Sequence, residues 1–327
     1  MEDQDFALFI ARIKEKTAID LSQYKEAQMK RRLTTLRMKH GFTTFKAYWE
    51  ALQSTPKLLD EFLDRMTINV SEFWRNPTRW GALENRFMPE ILKENRSPKI
   101  WSAACSTGEE PYTLAMILDK LGSLERSSLL ATDLDAGVIA KAMKGEYAER
   151  SLKDVPKDYL QSYFSQRNDA FVVADKLKRA VRFKQHNLLH DRFEGPFDLI
   201  VCRNVMIYFT DEAKQFLYHN FSKALRPGGL LFVGSTEQIF TPSQYNLETV
   251  ETFFLQTYPI TAEQGIFISR FSNTKRQTPK MEDHNGQTQS GSRLSLRFYH
   301  LTGMCANIGP RQPAGERDHG KPGSCRE

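Results

Sequence analysis

The segment from Lys99 to Met116 constrains the fold of this chain more than any other part of the sequence. It reads KIWSAACSTGEEPYTLAM, which predicts a short apolar strand, a tight turn over Cys105 to Gly108, and a helix with Pro111 near its start. A strand, a small-residue turn and a helix in this order form the ligand-binding corner of a doubly wound α/β fold. We therefore predict an α/β domain with a ligand site at this turn.

A second strand-like run, Ser128 to Asp133, ends in a carboxylate about 25 residues after Gly108. In α/β folds that bind dinucleotides, an acidic residue roughly 20 residues beyond the glycine turn accepts the hydroxyl groups of a ribose. The spacing predicts a ligand that contains adenosine.

The turn has too few glycines for a dinucleotide. A pyrophosphate needs close approach of the backbone and the full G-x-G-x-x-G pattern, whereas here one glycine is followed by Glu109 and Glu110. Two carboxylates would repel a phosphate but suit a cationic ligand with an amino-acid tail, such as S-adenosylmethionine with its ammonium and sulfonium groups. The alternative is that both acids only stabilise the positive end of the helix.

Apolar periodicity divides the chain into a helical part and an α/β part. Residues 1–88 have helical spacing throughout, strands and helices alternate over 89–271, and residues 272–327 have a composition that predicts a disordered tail. A polar stretch from Ser151 to Arg182, with a hairpin around Phe171, is a candidate for a small inserted subdomain. Strands are predicted over 100–103, 129–132, 181–185, 197–202, 229–234 and 252–258, and helices near 110–121, 135–144 and 211–225.

The net charge of +6 is concentrated in the tail. Residues 272–327 contain nine Lys or Arg and five Asp or Glu, which leaves only +2 for residues 1–271 and argues against a general nucleic-acid binder. No apolar run approaches the ~20 residues that span a bilayer, and the acidic start of the chain is unlike a signal peptide. The cysteines and the histidines His186 and His190 have no metal-ligand spacing, so we predict no metal site and a reducing, cytoplasmic location.

One predicted helix, Tyr24 to Lys39, is strongly basic, with six Lys or Arg and one acid in sixteen positions. Its apolar stripe is expected to pack on its own domain. The stripe consists of Met29, Leu33 and Leu36. We expect Arg31 on the opposite side, with Lys30 and Arg37 together on one flank. These three basic residues predict a docking surface for an acidic partner, and the alternative is an ordinary solvated face.

Further segments place polar residues where they can converge on one site. The segment TINVSEFWR, residues 67–75, carries an amide, a hydroxyl and an arginine just ahead of the α/β domain. Other polar residues follow the predicted strands. They are Asn187, Arg203, Asn204 and Tyr208. In an open α/β sheet, polar residues at successive strand ends converge on one crevice.

Taken together, these motifs resemble those of the chemoreceptor glutamate O-methyltransferases of bacterial chemotaxis, the CheR family. The matching blocks occur in order between about Phe6 and Tyr258: TINVSEFWR, WSAACSTGEEPY, ATDLD, HNL, FDLIVCRNVMIYF and LRPGGLLFVGSTE. The resemblance implies a helical domain followed by a class I S-adenosylmethionine-dependent methyltransferase domain with a doubly wound, mostly parallel sheet. It also implies a small β-subdomain inserted near 160–182.

The resemblance further implies a set of site residues. The cofactor-binding residues would be Asn69, Ser71, Arg75, Glu110, Asp133, Asn187, Leu188, Arg203 and Asn204. Glu110, rather than Glu109, would meet the methionine ammonium, and Asp133 would bind the ribose. Arg75 and Tyr208 would lie nearest the transferred methyl group as catalytic residues.

Four of these residues have ordinary structural alternatives, which the sequence leaves open. Asn69 and Ser71 could cap the following helix, and Asp133 could form a turn before Asp135. Tyr208 could be a core aromatic residue with a satisfied hydroxyl group.

The implied reaction transfers a methyl group to glutamate side chains on the acidic, helical cytoplasmic region of methyl-accepting chemotaxis receptors. A glutamate with a reference pKa of ~4.3 is ionised at neutral pH, so alignment and exclusion of water replace a general base. Arg75 would orient the carboxylate through its planar fork. We expect a monomeric protein that acts on these receptors without membrane insertion and without nucleic acid.

Two other functions share the fold. Amino-methylating nucleic-acid methyltransferases carry an Asn/Asp-Pro-Pro-aromatic motif after the fourth strand, where this chain has Cys-Arg-Asn-Val. A non-catalytic adaptor that binds S-adenosylmethionine would keep the fold, but every cofactor position here holds a competent residue. The segment from Tyr163 to Val173 lacks the glycine-rich turn of members that grip a peptide at the receptor's carboxyl terminus, which favours direct recognition.

Overall fold

The helical part of the chain forms a bundle around aromatic side chains. The structure is a computed structural model that describes residues 2–66 and 71–258. In those ranges the bundle helices are α1 (Glu2–Thr17), α2 (Glu26–Lys39), α3 (Phe45–Ser54) and α4 (Pro56–Met66). The buried Phe9 ring lies 5.0 Å from Phe45 and stacks on Tyr48 at 5.9 Å. Burial of each such side chain stabilises the bundle by about 1.5–3 kcal/mol.

A long helical stretch connects this bundle to the sheet. It runs through α5 (Pro77–Ala82), a π-helical turn (Leu83–Phe87) and α6 (Met88–Glu94). Pro77 stands at the first helical position, where its missing N–H leaves no hydrogen bond unmade. Two side chains of this stretch, Trp80 and Phe87, pack on the strand residues Phe232 and Phe254.

The α/β domain is built on a seven-stranded sheet with the order β6-β2-β1-β7-β8-β10-β9 within the described ranges. The first five of these strands are parallel, and β10 runs antiparallel to both of its neighbours. The strands of the described residues, including those of a second small sheet, are β1 (Lys99–Ala103), β2 (Ser128–Asp133), β3 (Glu146–Tyr147), β4 (Phe164–Arg167), β5 (Ala170–Val173), β6 (Val181–Gln185), β7 (Phe197–Cys202), β8 (Leu225–Val233), β9 (Leu247–Glu251) and β10 (Phe254–Thr257). The strand order reverses between β1 and β7, which is the position where ligands bind in doubly wound folds.

Helices cover both faces of the large sheet. They are α7 (Glu109–Lys120), α8 (Ala136–Lys144), α9 (Lys157–Tyr163), α10 (Asp175–Ala180) and α11 (Asp211–Ala224). Successive strand residues alternate between two cores, since Ile100 of β1 packs on the α7 side and Trp101 on the α11 side. The predicted fold class is confirmed, and the predicted strands and helices are present with ends shifted by a few residues.

The second sheet contains three strands in the order β3-β5-β4. The predicted hairpin is formed by β4 and β5, and its turn places Asn168 at φ 52°, where a glycine would be more usual. Because β3 precedes residue 160, this sheet uses more of the chain than the insert expected over 160–182.

Some of the sequence predictions fall outside the described residues. These are Asn69 and the tail over 272–327. Within residues 2–66 and 71–258, no helix combines the length and apolarity that crossing a membrane requires.

Candidate active site

The carboxyl ends of the parallel strands border a cavity of about 1060 Å³. Nine of the predicted cofactor and catalytic residues line it: Ser71, Arg75, Glu110, Asp133, Asn187, Leu188, Arg203, Asn204 and Tyr208. They come from five separate segments of the chain, so the fold brings together residues that are distant in sequence. Asn69 lies outside the described residues.

The turn after β1 has a backbone that ordinary residues rarely adopt. Ala104, Ser106 and Gly108 all have positive φ, at 59°, 49° and 96°. A Cβ atom on Gly108 would lie 2.8 Å from the Cβ of Ala142, so only glycine fits at this point. The Cys105 N–H donates to the carbonyl of Thr132 (2.8 Å), which fixes the turn against the end of β2.

Glu110 faces the cavity from the first turn of α7. Its Oε1 accepts a hydrogen bond from Ser102 Oγ (2.8 Å), and its Oε2 lies 4.0 Å from Arg203 Nη1. Burial raises the pKa of Glu110 to about 7, against the opposing effects of Arg203 and Ser102. Burial disfavours the ionised form of Glu110, and the positive charge of a ligand ammonium would favour it again. Glu110 therefore fits the methionine end of S-adenosylmethionine.

Glu109 has a different role from its neighbour. It is buried and does not line the cavity, and its carboxylate accepts hydrogen bonds from Thr107 Oγ1 (2.7 Å) and from Ser71. Glu109 therefore links the turn after β1 to the segment that carries Ser71. The prediction that Glu110 rather than Glu109 faces the ligand agrees with this placement.

Asp133 ends β2 with both carboxylate oxygens already hydrogen-bonded to backbone. Its Oδ2 accepts from Ser106 N–H (2.8 Å) and its Oδ1 from Asp135 N–H (3.0 Å). Burial raises the pKa of Asp133, and these N–H donors oppose that rise. Each oxygen keeps a further lone pair that can accept from a ribose hydroxyl. Asp133 therefore forms the turn that was its structural alternative, and its carboxylate still has acceptor capacity for a ribose.

The end of β6 supplies Asn187 and Leu188. The Asn187 Oδ1 accepts from Leu189 N–H (3.0 Å), while the Leu188 side chain is buried and adds apolar surface to the cavity. An apolar side chain beside a backbone turn suits a flat base such as adenine. His186 packs edge-on to Trp101, and burial lowers its pKa, so it stays neutral at physiological pH.

Arg203 joins the loop after β7 to the segment ahead of α5. Its guanidinium lies against two aromatic rings that contact each other, 5.2 Å from the centroid of Trp80 and 4.7 Å from that of Phe232. It donates through Nη2 to the carbonyl of Arg75 (2.8 Å) and to Asn76 Oδ1 (2.9 Å). The sequence predicts Arg203 as a cofactor-binding residue, and these contacts show that it fixes the backbone of Arg75.

The segment that carries Ser71 and Arg75 is anchored to the inserted subdomain. The Phe73 N–H donates to the carbonyl of Ser151 (3.1 Å), and the buried Phe73 ring lies 4.8 Å from Tyr147 of β3. Trp80 Nε1 donates to the carbonyl of Arg75 (3.1 Å). These contacts fix the backbone from which the Arg75 side chain enters the cavity.

Tyr208 lies where the helical bundle meets the α/β domain. It ends a short 3₁₀ turn, Met206–Tyr208, and its carbonyl accepts from Lys25 N–H (2.9 Å) at the start of α2. The neighbouring Phe209 forms an antiparallel bridge with Tyr24. Tyr208 is half-buried and lines the cavity, so it is not an ordinary core aromatic residue.

The basic helix α2 also lines the cavity, but not entirely with the predicted residues. Arg31 is exposed and lines the cavity, whereas Lys30 is absent from the lining and pairs with Asp3 of α1. The cavity-facing polar stripe of α2 has the spacing of one helix face. It consists of Lys25, Gln28, Arg32, Thr35 and Lys39. This i, i+3, i+7 pattern is visible in the sequence and could have identified the stripe.

The prediction that Arg37 belongs to an exposed docking flank is wrong. Arg37 is only 6% exposed, and its guanidinium lies 4.5 Å above the ring of Phe45 in the bundle. It follows Leu33 by four residues, which places it about 40° from Leu33 around the helix and therefore on the buried stripe.

No metal centre is found in the part of the chain that the structure describes, since no group of three or more His, Cys, Asp or Glu residues is arranged to hold an ion. Cys105 and Cys202 are buried free thiols, and burial raises the pKa of both. Both are therefore poor nucleophiles.

Both the helical part and the α/β part of this chain are similar to known proteins. Residues 4–67 match the family model described as CheR methyltransferase, all-alpha domain, and residues 69–254 match CheR methyltransferase, SAM binding domain. A chemotaxis protein methyltransferase of Listeria monocytogenes is 42% identical over 253 residues, which cover 77% of this chain and 97% of the relative. A chemotaxis protein methyltransferase of Escherichia coli is 34% identical over 247 residues, covering 72% and 85% of the two chains.

These matches confirm the resemblance seen in the motifs. Both family models match in order and together span the helical bundle and the α/β domain. The second model names the cofactor, S-adenosylmethionine, that the acidic turn predicted. This chain belongs to the CheR family of S-adenosylmethionine-binding methyltransferases.

Proposed function

We propose that this chain transfers a methyl group from S-adenosylmethionine to glutamate side chains of chemoreceptors and so forms glutamate methyl esters. The observation that carries the proposal is a single cavity that is lined both by cofactor-type residues, Glu110 and Asp133, and by the basic stripe of α2. The relatives named chemotaxis protein methyltransferases support the choice of receptor proteins as the substrate.

The cofactor would lie along the carboxyl edge of the sheet. Glu110 would bind its ammonium, Asp133 its ribose hydroxyls, and Asn187 and Leu188 would border its adenine. Bound S-adenosylmethionine supplies a methyl group on a sulfonium, so that attack by a carboxylate oxygen forms the ester C–O bond as the S–CH₃ bond breaks.

The side chains beside the reacting atoms have an orienting role. An acceptor glutamate is already ionised at neutral pH, so no protein group has to remove a proton. Arg75 would bind the acceptor carboxylate and turn one oxygen toward the methyl group, and its backbone is fixed by Trp80 and Arg203. The Tyr208 hydroxyl would complete the alignment from the other loop. Alignment of the reacting groups, together with exclusion of water by the bound receptor, would supply the rate enhancement.

The basic stripe of α2 would guide the receptor to this site. Lys25, Arg32 and Lys39 are spaced seven residues apart on one face of the helix, and Arg31 adds an exposed charge beside them. An acidic helical region of a receptor would therefore meet complementary charge along the cavity. We also propose that the protein acts as a cytoplasmic monomer and recognises the receptor directly, without tethering through the β4–β5 hairpin.

The test is incubation with methyl-labelled S-adenosylmethionine and receptor-containing membranes, followed by measurement of the volatile methanol that alkali releases. We expect alkali-labile label on the receptor, because carboxyl methyl esters hydrolyse in base. Label that resists alkali would exclude a carboxylate acceptor. Binding of S-adenosylmethionine without any transfer would instead indicate the non-catalytic adaptor.

A matched pair of variants connects the reaction to the cavity. Arg75→Ala should lose nearly all transfer, while Arg96→Ala removes an exposed arginine that does not line the cavity and should behave as wild type. Equal activity in the two variants would remove Arg75 from the catalytic centre.

A further inference from the structure

Glu237, in the segment that follows β8, is a buried acid outside the cavity lining. It is 4% exposed and does not line the cavity. Within the described residues, its carboxylate accepts hydrogen bonds from backbone N–H groups. Its Oε2 accepts from Asn204 N–H (2.6 Å) and Gly234 N–H (2.8 Å), and its Oε1 accepts from Met206 N–H (2.7 Å). The Ile207 N–H is a further donor to the same carboxylate.

Three of these four donors belong to the loop after β7, residues 203–208. This loop carries Arg203, Asn204 and Tyr208 into the cavity. Asn204 has a φ of 61°, a left-handed conformation that asparagine adopts more readily than most other residues with a side chain. N–H groups that converge in this way need a strong acceptor, and an ionised carboxylate provides four lone-pair positions.

The neighbouring backbone is adapted to this carboxylate. A Cβ atom on Gly234 would collide with Glu237 Oε2 and would lie 2.8 Å from the backbone nitrogen of Asn204. The other end of the loop is held separately, because the Tyr208 carbonyl accepts from Lys25 N–H (2.9 Å). Glu237 therefore fixes the beginning and middle of a loop whose end is bound to the helical bundle.

We propose that Glu237 is a positioning residue for methyl transfer: it holds the 203–208 loop so that the Tyr208 side chain reaches the reacting carboxylate and methyl group. The inference rests on the role proposed above for Tyr208. Glu237 acts only through the backbone of that loop and touches neither cofactor nor receptor.

The first test compares Glu237→Gln with Asp198→Asn. The glutamine keeps the size of the side chain but presents an NH₂ group to amide donors. Asp198 is an equally buried acid (2% exposed) that accepts from Lys99 N–H (2.8 Å), and it lies at the end of β7 opposite to the 203–208 loop. Both variants should unfold at lower temperature than wild type. Only Glu237→Gln should lower kcat, by at least about tenfold, since a displacement of ~1 Å at a reacting group has effects of this size or larger.

The KM for receptor should stay within about threefold of wild type in Glu237→Gln, because the end of the loop that contacts α2 is held separately by Lys25. Equal kcat losses in Glu237→Gln and Asp198→Asn would overturn the proposal, since both would then report only lost stability. If Glu237→Gln does not fold, Glu237→Asp provides the second variant, because its shorter side chain withdraws the carboxylate from the loop amides and leaves its charge in place.

A double-mutant cycle with Tyr208→Phe separates positioning from general stability. In the Tyr208→Phe background, Glu237→Gln should lower kcat by no more than about threefold, because the group that it positions is already gone. A full tenfold loss in both backgrounds would overturn the proposal.

Hydrogen exchange of the Asn204, Met206 and Ile207 amides gives a readout that does not depend on turnover. Glu237→Gln should lose protection at these three amides, and Asp198→Asn should keep it. Retained protection in Glu237→Gln would overturn the positioning claim, whatever the acceptor of the methyl group proves to be. If Glu237→Gln loses amide protection but the wild-type enzyme methylates no receptor carboxylate, only the proposed function is contradicted, and the role of Glu237 in holding the loop stands.

Discussion

The affinity of the protein for S-adenosylmethionine should rise with pH between 6.0 and 7.4, because Glu110 must be ionised to pair with the ligand's ammonium. Burial raises the pKa of Glu110 to about 7 in the free protein. With that value the ionised fraction increases from about 9% at pH 6.0 to about 70% at pH 7.4. After allowance for the ligand's α-amino group, which is about 67–80% protonated at pH 7.4, the affinity should increase about five- to sixfold, or ~1 kcal/mol, and binding should release a proton at the lower pH.

Isothermal titration calorimetry in buffers of different ionisation heat measures both quantities. The range stops at pH 7.4 because an α-amino group, with a reference pKa of ~7.7–8.0, loses most of its protons above it. Glu110→Gln cannot ionise, so its affinity should not rise over this range and should fall by no more than about 1.5-fold as the ligand amine loses protons. It should also be weaker than wild type at pH 7.4 by roughly ten- to a hundredfold, since a hydrogen bond to a charged group contributes ~1.5–3 kcal/mol.

Glu109→Gln is the matched control for this prediction. Glu109 is adjacent and buried, and burial also raises its pKa, but its carboxylate faces Thr107 and Ser71 rather than the cavity. This variant should keep the pH dependence of wild type. The reasoning is refuted if wild type binds equally at pH 6.0 and 7.4, or if Glu110→Gln keeps the same slope.

The remaining predictions concern stability, ribose binding, docking and the tail. Burial raises the folded-state pKa of Glu110 from its unfolded value of 4.5 to about 7, so the folded protein binds the extra proton. Its thermal stability without cofactor should therefore fall as pH rises from about 4.5 to about 7, and Glu110→Gln should reduce that fall in calorimetric melting. Asp133→Asn should weaken S-adenosylmethionine by roughly ten- to a hundredfold in calorimetry, and unchanged affinity in a folded variant would remove Asp133 from the site. Arg31→Glu should raise the KM for receptor at low salt, with a smaller effect as salt screens the repulsion, while Lys46→Glu, an exposed reversal in the same bundle away from the cavity, should not. Truncation after Arg270 should leave methyl transfer within about twofold of the full chain, because both family models end before it, and lost activity would contradict this.

The central strands were predictable because burial on both faces leaves a clear sequence signal. β7 is apolar along most of its length, and each of its residues from Phe197 to Cys202 is buried. β9, by contrast, reads Leu-Glu-Thr-Val-Glu and pairs only with β10 at the edge of the sheet. A short, half-exposed edge strand has too little apolar character to stand out from a loop, so it was missed.

The error at Arg37 has a physical origin in how long side chains are buried. A sequence pattern treats every arginine as exposed, whereas an arginine can bury its aliphatic stem and place its guanidinium over a ring. The helical period alone places Arg37 next to Leu33, and the buried Phe45 ring explains why an arginine is tolerated there.

The choice between Glu109 and Glu110 could not be made from local sequence. Adjacent residues in the first turn of a helix point about 100° apart, so a motif of two acids does not identify the one that faces the ligand. The structure distinguishes them through residues distant in sequence, because Ser71 engages Glu109 and Arg203 approaches Glu110. Tertiary contacts of this kind are absent from any local pattern.

A crystal structure with bound S-adenosylhomocysteine tests the central claim most directly. We expect its amino group within about 2.7–3.2 Å of Glu110, its ribose hydroxyls on Asp133, and its sulfur directed toward Arg75 and Tyr208. A ligand bound outside this cavity, or one whose sulfur points away from both Arg75 and Tyr208, would contradict the site and the reaction proposed for it.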